Sequence, residues 1–225
     1  MRFWKSRKFL VLTSVAFIVS GLIFYFFYGM PWNLITYKGM FESYLENKYE
    51  EDFVIAEISY DLLHGGGTYH AYAYSKNNPE VMFYVGQNVR QEELEDSYHY
   101  EMWRFQAHNE WTPIIEEIFP TKFNHSVEVR DFLDPTDTES STLSNYKDMV
   151  TLEIGVAMNN TTITRENKET ELRKVYKLLE DLNKRGVNLH HFGVDYKNKT
   201  LQLNNHEVRS VKQHGDLVNV LMDYK

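Results

Sequence analysis

Residues 9–28 read FLVLTSVAFIVSGLIFYFFY, and no charge interrupts them. Sixteen of the twenty are apolar, and thirteen are Leu, Ile, Val or Phe. Twenty helical residues rise about 30 Å, the thickness of a bilayer's hydrocarbon core. On an insertion scale the thirteen contribute about −6 kcal/mol, which Thr13, Ser14, Ser20 and Gly21 do not reverse. The run predicts a membrane-spanning helix over residues 9–29, with the lipid bilayer as partner through Phe9–Tyr28. A cleaved secretory signal is the rival reading. Its apolar core is shorter, about 7–15 residues, and small residues follow it. Here the core is longer and ends in the bulky Phe24–Tyr28, so an uncleaved anchor is expected. That aromatic end, with Trp32 beyond and Trp4 before, suits the two membrane–water interfaces.

The formal charge of −8 divides unevenly about this run. Arg2, Lys5, Arg7 and Lys8 make the first eight residues +4, and residues 31–225 hold the other 20 basic and all 32 acidic residues, −12. Only Lys38 is basic within fifteen residues after the run. Basic residues stay inside, so residues 1–8 are expected in the cytoplasm and the rest outside. A tail of eight residues cannot fold or catalyse, so any activity belongs to the outer part. An acidic outer part argues against nucleic acid, which needs a basic face to neutralise phosphates. The chain has no cysteine. That excludes disulfides, thiolate zinc sites, a cysteine nucleophile and a lipid on an N-terminal cysteine.

The outer part reads as two small α+β domains with antiparallel sheets, residues 30–120 and 121–225. The first has the order αβββα. Apolar residues from Tyr37 to Tyr49 recur on one helical face, and 53–60, 68–75 and 81–85 read as strands. A helical pattern over 91–119 meets Pro113, where a break is expected. The second domain has the order ββαββα: strands 126–133 and 149–158 around a loop at 134–148, a helix from Thr164 to Arg185, a hairpin over 187–203, and a final helix broken near Gly215.

Few strings suggest chemistry. His64-Gly65-Gly66-Gly67 resembles an oxyanion-hole motif, but no G-x-S-x-G nucleophile elbow accompanies it, and a hairpin turn explains it better. Of the nine histidines, His190 and His191 are adjacent and should face opposite ways on a strand, while His206 and His214 lie about two helical turns apart. No metal site is expected. Asp131, Asp134, Asp137 and Glu139 lack the spacing of a calcium loop. No catalytic or cofactor-binding residue is assigned. Tyr60, Tyr69, Tyr72, Tyr74 and Tyr84 lie on three expected strands and form the candidate interaction surface, although strand packing alone also uses such residues.

Gly29-Met30-Pro31-Trp32-Asn33 after the anchor, then Ser59-Tyr60-Asp61, Gly66-Gly67, Ala71-Tyr72, Pro79-Glu80, Phe83-Tyr84-Val85 and the Tyr98–Trp103 stretch, make a recurring pattern. In these the chain resembles the YfjL-like proteins of Gram-positive, Bacillus-type bacteria. The resemblance implies a membrane-anchored protein with an N-terminal and a C-terminal YfjL-like domain. It implies no reaction and carries no functional residue. The expectation is a non-enzymatic binding or accessory module of the cell envelope, meeting an envelope protein or peptide. The alternative is an envelope hydrolase with a non-standard acid/base site. A third reading, a domain that pairs a peptide along an open sheet edge, also stands.

Overall fold

The uncharged run forms one helix. A computed structural model describes residues 2–63, 66–88, 93–133 and 143–223, with side chains from residue 7 onward. Helix α1 spans Arg2–Tyr28, and its apolar side chains stand exposed. Among the described residues it is the one helix apolar and long enough to cross a membrane. Gly29 stops it in the left-handed conformation, φ 65°, and donates its N–H to Tyr25. Met30 is extended and Pro31 opens α2, Pro31–Tyr49, where a missing N–H costs nothing.

The chain forms two compact units, Met1–Tyr98 and His99–Lys225. In the first, strands β1 (Phe53–Asp61), β2 (Thr68–Ser75), β3 (Asn78–Gln87) and β4 (Leu94–Asp96) make an antiparallel sheet in that order. Helix α2 buries Phe41, Leu45 and Tyr49, four residues apart, on one face of it. There Phe53, Phe83, Tyr49 and Tyr98 meet edge to face or tilted, with centroids 4.7–5.7 Å apart. Burying each such ring contributes about 1.5–3 kcal/mol.

The second unit carries nearly all of α3 (Tyr98–Ile118), followed by β5 (Asn124–Phe132), α4 (Tyr146–Met149), β6 (Val150–Met158), α5 (Lys168–Lys184), β7 (Leu189–Tyr196), β8 (Lys199–Asn204), α6 (Asn205–Ser210), a 3₁₀ turn (His214–Asn219) and β9 (Met222–Asp223). Its sheet runs β5-β6-β7-β8-β9. The β6–β7 pair is parallel, because α5 carries the chain back between them, and the other pairs are antiparallel. Helix α5 buries Leu172, Val175, Leu178, Leu179 and Leu182, and α3 adds Trp103, Ala107, Trp111 and Ile115 to the same core.

The fold is therefore α+β with two antiparallel-rich sheets behind a long apolar helix. Several details differ from the expectations. The units divide at Tyr98/His99, not after residue 120, because α3 buries its apolar stripe in the second core. Leu94–Asp96 is a strand where a helix was expected. Helix α3 runs unbroken through Pro113, held by buried side chains on both sides of it. The second sheet is mixed rather than antiparallel. Tyr146–Met149, expected as the end of a loop and the first residue of a strand, forms a helical turn that Asn145 caps by accepting from the Lys147 N–H. The final helix is broken as expected, but its second piece is the 3₁₀ turn and a short strand follows it.

Candidate functional site

Strand alternation divides the five candidate tyrosines. Tyr60 and Tyr69 are directly paired across β1 and β2 and point to the α2 side. Tyr72 and Tyr84, paired across β2 and β3, and Tyr74 point to the other side. The structure thus does not unite the five on one surface.

The inner pair holds the helical junction. The Tyr60 and Tyr69 rings lie 4.9 Å apart, Tyr37 stacks on Tyr69 at 4.5 Å, and Tyr25 meets Tyr60 at 6.1 Å. The Tyr69 hydroxyl accepts the Met30 N–H at 3.0 Å, in the gap between α1 and α2. A Cβ on Gly29 would come within 3.0 Å of the Tyr60 ring, so the junction needs glycine for space as well as for φ. These tyrosines are structural.

The outer face is open. Tyr72 is 51% exposed, Met82 on the same face 44%, and Tyr74 and Tyr84 are half-buried. Tyr84 lies flat on the sheet. A Cβ added to Gly86 would stand 2.6 Å from the Tyr84 Cζ, and His70 stacks on the Tyr84 ring at 5.8 Å. Carboxylates border the patch. Glu57 pairs with Tyr72 across the strands, and Glu95 pairs with Gly86. Partial burial, then the nearby Glu95 and Asp61, push the Tyr84 phenol above its ordinary value of 10.0. Rings with this negative border attract cations, through their π faces as well as through the acids.

Two carboxylates that sequence reading did not single out are saturated by partners. The Asp96 side chain is 1% exposed, accepts from the Tyr44 hydroxyl and Lys48 through Oδ2, and from the Tyr49 hydroxyl and the Tyr98 N–H through Oδ1. Glu51 accepts from Tyr98, Ser75 and Asn77. Both tie helix to sheet and have little capacity left for a substrate. Glu110 plays the same part in the second unit, where it binds Lys147, Arg185 and the Tyr146 hydroxyl.

The second sheet has an open face too. Ser126, Gly155, Gly193 and Gln202 stand in one row across β5 to β8. They make a shallow trough, with Gln202 folded over Gly193 and bonded to Asp195. A depression of about 170 Å³ at one side is bordered by Asn124, Ser126, Ala157 and Asp195. At the other end, irregular pairing in β5 and β7 brings His190 within 2.8 Å of Asp131, both exposed. His191 neighbours Glu153, whose carboxyl is held low by Arg130 first and by the two histidines last. Among the described residues no group of three or more His, Asp or Glu gathers to hold a metal. His64 and Gly65 lie outside the described residues, as do Asp134, Asp137 and Glu139.

No family model matches the chain, and no curated protein does. Among solved structures the chain is similar to a DUF5037 family protein from Ruminococcus gnavus ATCC 29149. The two are 20% identical over 77% of each chain, with a TM-score of 0.36. A likeness of that size transfers neither fold nor function.

Proposed function

We propose that the chain is a single-pass, membrane-anchored binding module of the cell envelope, YfjL-like in kind. Its outer units would lie outside the cell, and the Tyr72–Tyr84 face of the first sheet would dock a polypeptide segment bearing lysine or arginine. The observation that carries this reading is the open face itself: two cross-strand tyrosines, one held flat by Gly86, with Glu57, Glu95 and Asp61 around them. Exposed aromatic groups with a charged border are typical of binding surfaces. The test uses the full chain in nanodiscs and fluorescent peptides that are lysine-rich, neutral or glutamate-rich. The lysine-rich peptide should bind, and Tyr72→Ala with Tyr84→Ala should weaken it about tenfold, or ~1.4 kcal/mol. Equal binding of all three peptides, or no effect of the double variant, would refute the docking role. A second reading, an envelope hydrolase, draws on the His190–Asp131 pair. It requires a turnover that His190→Ala abolishes.

A further inference from the structure

The first unit has a second apolar feature, at its anchor end. Strand β1 runs antiparallel to α2. Its first residue, Phe53, packs on Tyr49 at the end of α2, whereas Tyr60, near its other end, packs on Tyr25 of α1 and beside Gly29. The turn after β1 therefore lies at the level of the last turn of α1. Tyr25 is three residues, about 4.5 Å, from the end of that helix. Beyond Tyr60 come Leu62 and Leu63, and Leu63 is 69% exposed. Trp32 and Ile35, in the first turns of α2, are 64% and 79% exposed. Outside α1, the large apolar side chains exposed among the described residues of this unit are these three with Met30, Met40, Tyr72 and Met82. Four of those seven sit at the helical junction or the adjoining turn. At the opposite end, the β2–β3 turn carries Lys76 and Asn77, which bind Asp52 and Glu51.

We propose that Leu62 and Leu63, with Trp32 and Ile35, form a second membrane contact that seats the first unit on the bilayer surface. This rests on the reading of α1 as a membrane anchor. Once α1 spans the bilayer, the Tyr25–Tyr60 contact brings the end of β1 to headgroup level, where leucine and tryptophan side chains partition favourably. The clasp of Tyr60 and Tyr69 on the α1–α2 junction holds that level fixed. The first unit would then meet the outer leaflet by two points, a helix and a turn. Its β2–β3 end would stand farthest from the membrane.

The chain has no cysteine, so single cysteines report without a background. Val15→Cys, Ile35→Cys, Leu63→Cys and Lys76→Cys are made in the full chain, spin-labelled and placed in phosphatidylcholine–phosphatidylglycerol nanodiscs. Collision with oxygen and with an aqueous nickel chelate gives the depth of each label. Labels at positions 35 and 63 should collide with the nickel chelate several-fold less than the label at 76, and the label at 15 should scarcely meet it. If position 15 is shielded while 35 and 63 match 76, the seating is refuted and the anchor stands. If position 15 is itself open to the chelate, the anchor reading fails and the seating with it.

Discussion

Gly86 lacks a side chain where Tyr84 needs the space. Gly86→Ala would drive a methyl group into the phenol ring and lift it from the sheet. The clash meets the far end of a half-exposed side chain that can swing away from the sheet, so the change should cost less than about 1 kcal/mol. The variant should unfold near the parent's denaturant midpoint yet lose near-ultraviolet tyrosine circular dichroism. Glu110 gives a second prediction at this scale. Burial works to raise its carboxyl, but hydrogen bonds from Lys147 and Tyr146 outweigh that and hold it below the ordinary 4.5. A carboxyl lowered by folding stabilises fully above its unfolded value, and that stability is lost as pH falls through the folded value. Stability should therefore decline below about pH 4.5, and Glu110→Gln should flatten that decline while costing about 2 kcal/mol at pH 7. Urea titrations across pH 3–7 measure both effects. Strand alternation along β2 puts Tyr69 on one face and Tyr72 and Tyr74 on the other, a division the five-tyrosine surface ignored. The Asp96 hub was not legible, because Tyr44, Lys48 and Tyr49 reach it from 47–52 residues away.

Helix α3 shows how an element overrides a local signal. Proline removes one backbone hydrogen bond and crowds the preceding turn, which favours a break. Trp111 and Ile115 are fully buried on either side of Pro113, and their burial outweighs that cost. Pro113 itself is exposed, so Pro113→Ala surrenders no packing. The variant should stabilise the chain by roughly 1–3 kcal/mol in chemical denaturation. A loss of stability would mean that the proline shapes a bend the fold needs. Amphipathic spacing made α2 and α5 readable, since their buried residues recur every three or four positions. Strands of two or three residues such as β4 and β9 carry too few side chains for any period to register. The parallel β6–β7 pairing follows from where α5 packs, which depends on the whole core.

At the scale of the whole molecule, one uncharged run separates a +4 tail from a −12 body. It forms a helix whose apolar side chains are exposed, and burying that surface in lipid is the reason to place it in a bilayer. The long apolar helix was legible because length and absence of charge are local properties. The candidate face was legible only in part, since Tyr60 and Tyr69 belong to the junction and not to the surface. The account stands or falls on the outer units lying outside an anchored chain. Lys76→Cys and Lys197→Cys, both at exposed turns, report this in intact cells with a membrane-impermeant maleimide. Both cysteines should label without lysis, in protein that stays in the membrane pellet after alkaline carbonate washing. Labelling only after lysis, or release into the wash, would contradict the account.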